Sequence, residues 1–296
     1  MRPVIFVETP SVFHAMIDAL AGSRHVAVDT ESNSFYAYFE RICLIQLSIP
    51  DQDFIVDPFA LPDLSPLGEI LQDSSIEKIL HAASNDVLGI KRDYRFRIRN
   101  LFDTAIACKI LGYTRLGLAR ILEEHFGVVL NKRYQRHDWR RRPLTQEQMD
   151  YARMDTHFLL PLRHKLAADL EARGLLDQAR EAFTAAEDQE AATKKFRPGS
   201  YIQIRGARAL DPAGKKVLQA LYLFREHEAK RTDRAPFRIM SNETLMRLAI
   251  RRPKNLKEFS QVKGLPRMFH QAGRGTHILE LIRKNEPILE DVKAGE

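Results

Sequence analysis

The stretch His25-Val26-Ala27-Val28-Asp29-Thr30-Glu31 decides the fold. Its first four residues read as a short buried β-strand. A strand that finishes in Asp-x-Glu carries both carboxylates on one face, because strand side chains alternate with period two. Two like charges side by side repel unless a cation lies between them. An acid pair at a strand end is by itself an ordinary surface feature. These two residues gain meaning from what surrounds them.

Upstream, Val4 to Val7 reads as a strand and Thr9-Pro10 as a helix start, with Phe13, Ile17 and Leu20 as the apolar stripe. Downstream, the aromatic stretch Ser32 to Glu40 holds Phe35, Tyr36, Tyr38 and Phe39, which either stack on unpaired bases or close the core. Ile42 to Ile49 and Phe54 to Val56 read as strands joined by a tight turn, hence antiparallel neighbours. Helix and strand patterns then alternate: helix at Leu64 to Leu71, strand at Ile76 to His81, helices at Asn85 to Tyr94 and Ala105 to Leu111. This order predicts an α/β domain, a mixed sheet flanked by helices. Asp103 is expected to cap the helix at Ala105, and His81 to be a hydrogen-bonded structural histidine.

Three more acidic or phenolic positions complete the set. Asp86 lies at the start of the helix from Asn85. A basic loop, Arg133 to Arg142, contains the sole tryptophan, Trp139, expected to pack within the domain. Thr145 with Gln148 forms a capping-box pattern, and the helix it starts carries Tyr151 and Asp155, four residues apart and so on one face. Four carboxylates without a Cys/His cluster point to hard, oxygen-preferring ions, Mg²⁺ or Mn²⁺. Two such ions about 4 Å apart can clamp the attacking and leaving oxygens of a phosphoryl displacement.

The combination resembles the DEDD 3′–5′ exonucleases, specifically the ribonuclease D group of the tyrosine subclass. The resemblance rests on Val28-Asp29-Thr30-Glu31, on Leu80 through Asp86, and on Tyr151-Ala152-Arg153-Met154-Asp155. Cys43 to Leu47, Phe102-Asp103-Thr104, Asp138-Trp139 and Arg142-Pro143-Leu144 add to it. It covers about residues 1–190 and implies a ribonuclease-H-like fold. It further implies that Asp29, Glu31 and Asp155 bind the catalytic-site metal. By the same resemblance Asp29 would also bridge to a second ion supported by Asp86, and Tyr151 would orient the attacking water. Asn85 departs from the Glu or Asp often found there in the family.

Charge divides the 296 residues unevenly. Residues 1–190 hold 23 Lys+Arg against 28 Asp+Glu, a balance of −5, whereas residues 191–296 hold 23 against 11, a balance of +12. Such asymmetry predicts a polyanionic partner for the basic part. Its helical patterns resemble the HRDC domain, on Leu223 to Glu226, Ala229-Lys230, Phe237 to Met240, Leu245, Pro253 and Val262 to Leu265. The expected organisation is an exonuclease domain at 1–190, a linker at 191–208 and a small all-α HRDC bundle at 209–290.

No apolar run approaches the ~18 residues of a membrane span, and none of the N-terminal sequence reads as a signal peptide. Cys43 and Cys108 form no framework or metal-ligand spacing, so cytoplasm is the expected compartment. The expected function is a metal-dependent 3′–5′ exoribonuclease releasing nucleoside 5′-monophosphates, on tRNA precursors or other structured RNA. A single-stranded-DNA exonuclease and a non-catalytic nucleic-acid-binding module are the alternatives. Thr30, Phe35, Tyr36, Arg136, Arg140, Lys230, Arg231 and Lys263 are the expected nucleic-acid contacts.

Overall fold

The computed structural model describes residues 2–190, 196–270 and 272–285. The chain divides into two compact units, one of residues 1–35 with 40–192, the other of 36–39 with 193–296. The first expected linker residues, 191–195, and the last expected HRDC residues, 286–290, lie outside the described residues.

The first unit opens with β1 (Ile5–Val7), α1 (Pro10–Ala21), β2 (His25–Ser32), β3 (Ile42–Ile49) and β4 (Gln52–Val56). It continues with α2 (Ser65–Gln72), β5 (Glu77–Leu80), α3 (Ser84–Tyr94), β6 (Leu101–Asp103), α4 (Thr104–Ile110) and α5 (Leu118–Phe126). It ends with α6 (Gln146–Ala152), α7 (Met154–His157), α8 (Leu159–Ala172) and α9 (Leu176–Glu187). The six strands form one sheet in the order β1-β4-β3-β2-β5-β6. The β3 strand runs antiparallel to β2 and β4, while the β1–β4, β2–β5 and β5–β6 pairs are parallel. This is the mixed, helix-flanked sheet expected from the sequence, and a ribonuclease-H-like one.

Local chemistry explains the element boundaries. Thr9 caps α1 with Pro10 in its first turn, and Thr145 with Gln148 closes a complete capping box on α6. The β2 strand runs past the acidic pair to Ser32, with a register shift between Glu31 and Ser32. Val26, Ala27 and Val28 are wholly buried, whereas Asp29 to Ser32 are partly exposed. The strand therefore carries its charges out of the core along its own length. Parallel pairing of Ala27 with Ile79 brings the end of β5 level with this segment. The turn that follows delivers α3.

Asp103 holds that turn. Its carboxylate accepts the N–H groups of Ala82 (3.0 Å) and Ala83 (2.8 Å) ahead of α3. It also accepts those of Ala105 (2.8 Å) and Ile106 (3.1 Å), capping α4 as expected. Ala82 sits at φ +57°, a left-handed conformation that costs a non-glycine residue roughly 1–2 kcal/mol. His81 is the structural histidine anticipated. Its Nδ1 lies 2.8 Å from Thr104 Oγ1 and its Nε2 2.8 Å from the Leu116 carbonyl.

The second unit holds α10 (Pro212–Arg231), α11 (Pro236–Ile239), α12 (Asn242–Arg251), α13 (Leu256–Ser260) and α14 (Ala272–Asn285). Asp211, Ser241 and Asn255 cap α10, α12 and α13. Val217, Leu221, Leu245, Leu248, Phe259 and Ile278 form its core. The expected linker is partly structured: 3-10 turns span Pro198–Gln203 and Ala207–Ala209, and Ile204 and Ala207 enter this core. Apolar side chains spaced among arginines there anchor the segment to α10, so it behaves as part of the bundle. Tyr36–Phe39 also belongs to this unit. The Tyr38 hydroxyl donates to Glu226, the Tyr38 and Phe39 N–H groups donate to Asp233, and Ala235 N–H donates to the Tyr36 carbonyl.

Asp103→Ala should cost about 2–4 kcal/mol, because it strips one buried acceptor from four backbone donors. Urea unfolding monitored by circular dichroism checks this; a loss below about 1 kcal/mol would show that the turn holds itself.

Candidate active site

Four carboxylates and a phenol gather around the end of β2. Strand register sorts them by face. Asp29 is opposite Gln46 of β3, and Glu31 is opposite Leu44. Directly opposed residues share a face. On that face Leu44 packs with Trp139, Ala152 and Tyr151, and Ser48 bonds Thr156 of α7. Asp29 and Glu31 therefore point toward the α6–α7 segment, which carries Tyr151 and Asp155.

Asp86 arrives by another route. Thr30, between the two acids, is opposite Ile45 and so faces the other side of the sheet. Its hydroxyl donates to Asp86 Oδ1 at 2.5 Å. Asp86 sits in the first turn of α3, where unpaired helix N–H groups favour a carboxylate. Thr30, expected among the nucleic-acid contacts, thus spends its hydroxyl on holding Asp86.

The helix expected to carry Tyr151 and Asp155 is divided: α6 ends at Ala152, and α7 restarts at Met154. The intervening Arg153 keeps helical angles, φ −62° and ψ −23°, so the two side chains still reach one place. The segment is locked from below. Ser48 Oγ lies 2.7 Å from both Asp53 Oδ1 and Thr156 Oγ1, and His157 Nδ1 lies 2.8 Å from Asp53 Oδ2.

The electrostatics are those of crowded acids. Burial, then the charges of Asp86, Asp155 and Glu31, hold the Asp29 carboxyl well above its ordinary range. Glu31 is raised likewise by burial and by Asp155 and Asp86. Asp155 is pushed up to about 7 by burial and by Asp86. Asp86 rises to about 6 through burial, opposed by its hydrogen bonds. Burial and the neighbouring carboxylates also push the Tyr151 phenol up, so its hydroxyl keeps its proton.

An oxygen-only set of mutually repelling acids fits divalent Mg²⁺ or Mn²⁺, with Asp29, Glu31, Asp86 and Asp155 as the candidate ligands. Among the described residues no three such groups stand close enough to form a ready-made metal cage, although the four acids are near enough to repel one another. The fit lies in the chemistry of the donors.

Trp139 takes a part that its sequence position did not announce. It is 1% exposed, and its ring lies at 26° and 6.0 Å to Tyr151. Its indole N–H faces the Glu31 carboxylate and opposes the rise of that group's pKa, without completing a hydrogen bond of ordinary geometry. Arg142 fixes the loop around it, donating to the carbonyls of Trp139 (2.7 Å) and Cys43 (3.0 Å) while pairing with Asp57. The signal in the sequence was a lone tryptophan in a polar, basic loop. A cavity of about 440 Å³ opens beside this group, lined by Leu130, Tyr134, Tyr151, Met154 and Asp155 among others.

The other expected contacts fall in two places. In the first unit, the Arg136 guanidinium lies 5.7 Å from the centre of the exposed Phe35 ring, and Arg140 pairs with Asp138. In the second, Tyr36 lies 3.8 Å under Arg238 and Arg231 pairs with Glu228, while Lys230 and Lys263 are exposed.

Comparison with known proteins follows the same division. Residues 4–171 match the 3′–5′ exonuclease family and residues 214–282 match the HRDC domain. The exosome complex exonuclease RRP6 of Saccharomyces cerevisiae is 31% identical over 84% of this chain, which spans 36% of that protein. The catalytic core of RRP6 from Trypanosoma brucei superposes with a TM-score of 0.86 at 27% identity, over 96% of this chain and 79% of that one. Escherichia coli RNase D, an exoribonuclease of structured RNA processing, gives 0.69 at 30% identity, over 99% and 77%. Brucella melitensis NrnC with bound Mg²⁺ gives 0.55 at 26% identity, over 63% and 90%.

Mg²⁺ or Mn²⁺ at about 100 times its dissociation constant should raise the melting temperature of the catalytic unit by about 5–10 °C. Asp155→Asn should lose most of that gain. Melting curves insensitive to either ion would remove the cation site.

Proposed function

The chain belongs to the 3′–5′ exonuclease family, and on that footing we propose that it shortens RNA from the 3′ end, releasing nucleoside 5′-monophosphates. The observation that carries this reading is the convergence of Asp29, Glu31, Asp86 and Asp155 with Tyr151 at the end of one strand. RNA is the favoured substrate because RRP6 and RNase D, the relatives described above, are an exosome exonuclease and an exoribonuclease. Structured RNA, tRNA precursors included, is the proposed class.

Asp29, Glu31 and Asp155 would hold one divalent cation, and Asp29 with Asp86 a second. Bound there, the ions would make water a better nucleophile and offset charge on the leaving 3′-oxygen. The chain's own residues do the rest. Protonated Tyr151 can orient the attacking water by hydrogen bonding but cannot serve as its base. Trp139 keeps the Tyr151 ring from rotating and steadies Glu31. Thr30 holds Asp86 from the opposite face. Exposed cations, among them Lys230 and Lys263, supply phosphate contacts that add affinity without reading sequence. Two thiols buried in apolar surroundings, Cys43 and Cys108, accord with the reducing cytoplasm proposed as its compartment.

Matched RNA and DNA oligomers, labelled at the 5′ end and incubated with Mg²⁺ or Mn²⁺, test the reading. A single-nucleotide ladder on RNA is expected. A ladder on DNA alone would overturn the RNA assignment, and an intact, shifted band on both would mean a binding module. Tyr151→Phe, which removes only the hydroxyl, should lower kcat on the order of 10²-fold with little change in KM. An unchanged kcat would return Tyr151 to a packing role.

A further inference from the structure

Gln46 is the one residue of the β2–β3 pair whose chemistry the fold leaves unexplained. It lies in the middle of the sheet, fully buried, between Asp29 on one side and Ile55 on the other. Neither its amide nitrogen nor its amide oxygen has a hydrogen-bond partner. A buried polar group left in this state costs about 1–3 kcal/mol, and an apolar side chain of similar shape avoids that cost. Leu47 and Ile45, its neighbours in the strand, show that apolar residues suit this sheet.

Register says where the amide points. Leu44, Gln46 and Ser48 alternate onto the same face of β3. Leu44 packs against Trp139 and Ala152, with Tyr151 at the edge of that cluster. Ser48 bonds Thr156, the residue after Asp155. Gln46 stands between these two contacts, beneath the α6–α7 segment and directly across from Asp29. Its unused donor and acceptor therefore lie inside the layer that holds the carboxylates. Orphaned buried polar groups in a folded protein mark a missing partner such as a water or an ion-bound group.

We propose that Gln46 is a positioning residue for the cation site: with divalent cations bound, its amide N–H donates to the Asp29 carboxylate and holds it in the orientation that ligates them. This rests on the cation-dependent reading of the site given above. It explains why a costly amide occupies the centre of an otherwise apolar strand, and why it is opposite the one acid shared by both proposed ions. A hydrogen bond from outside the ligand set fixes the rotamer of a ligating side chain, and losing such a bond lowers metal affinity by 10- to 100-fold in typical sites.

The test compares wild type with Gln46→Leu and with Gln46→Met, an unbranched replacement of similar length. Unfolding of the metal-free proteins and calorimetric titration with Mn²⁺ are both read. The expected result is metal-free stability equal to or above wild type, with the Mn²⁺ dissociation constant raised about tenfold or more. An unchanged dissociation constant in either folded variant would overturn the proposal. A clear loss of metal-free stability in both variants would also overturn it, since the amide would then already be serving the fold. Failure of wild type itself to bind Mn²⁺ would overturn the cation site and this inference together. Binding by wild type with no difference in the variants would overturn this inference alone.

Discussion

Repulsion among Asp29, Glu31, Asp86 and Asp155 is the constraint around which the catalytic unit is arranged. Left free, four acids so placed would turn away from one another into solvent. The fold prevents this by fastening each from a different direction. Asp86 is held from behind the sheet by Thr30, and its helix start by the four-way acceptor Asp103. Glu31 meets the indole of Trp139. Asp155 rides on α7, which is pinned through Thr156 and His157 to Ser48 and Asp53. The anchors are hydroxyl, indole and backbone groups together with two further carboxylates, Asp103 and Asp53, that accept hydrogen bonds outside the set. None adds a cationic side chain that would neutralise the acids and displace an ion. The site is therefore kept electronegative while hydrogen bonds hold its geometry.

The same logic accounts for the loop between α5 and α6. Charge attraction alone would fold a basic loop onto a nest of carboxylates beside it. Three of its charges are instead committed elsewhere: Arg142 to Asp57 and two carbonyls, Arg140 to Asp138, Arg133 to Glu147. What the loop presents to the acids is the Trp139 ring. An indole offers a single weak donor and a broad apolar surface. That is enough to orient Glu31 and support Tyr151 without competing for the site.

Much of this was legible in the chain because it is local. The Asp-x-Glu at a strand end, the Thr145–Gln148 cap and the Asp103 cap each depend on residues within a few positions of one another. Their signals survive in any fold that keeps the strand or helix. What escaped depends on where the folded chain places each partner. Lys78, within the strand expected at 76–81, is fully buried, and its ammonium finds the carbonyls of Ile70, Asp73 and Ile76. Nothing in the strand pattern announces that cradle, which also leaves the lysine pKa lowered to about 8 by burial. The role of Trp139 needed β3 and α6 in place. The orphaned amide of Gln46 shows itself only once neighbouring side chains are known. The attachment of Tyr36–Phe39 to the helical unit rests on Glu226, Asp233 and Ala235, nearly 200 positions away. Aromatic composition alone left base stacking and core closure equally open.

Charge counting needs the same correction. The balance of +12 over residues 191–296 treats every cation as available to a phosphate. Several are not. Arg225 is buried and donates to the Met240 carbonyl and to Asn242, so its role is to tie α10 to the start of α12. Arg252 pairs with Asp211, the cap of α10, and Arg231 is held by two hydrogen bonds to Glu228. Arg247 donates to the Lys263 carbonyl, which steadies the turn between Phe259 and Leu265 while leaving the Lys263 ammonium outward. Committed guanidiniums still contribute to the long-range field, which draws a polyanion toward the bundle. Short-range phosphate contacts, and with them the counterions released on binding, come from side chains that remain able to move. Lysines on flexible stems suit that task better than arginines already locked in a fork. The helical unit thus spends part of its positive charge on holding its own helices together, and the share left for a polyanion is smaller than its composition implies.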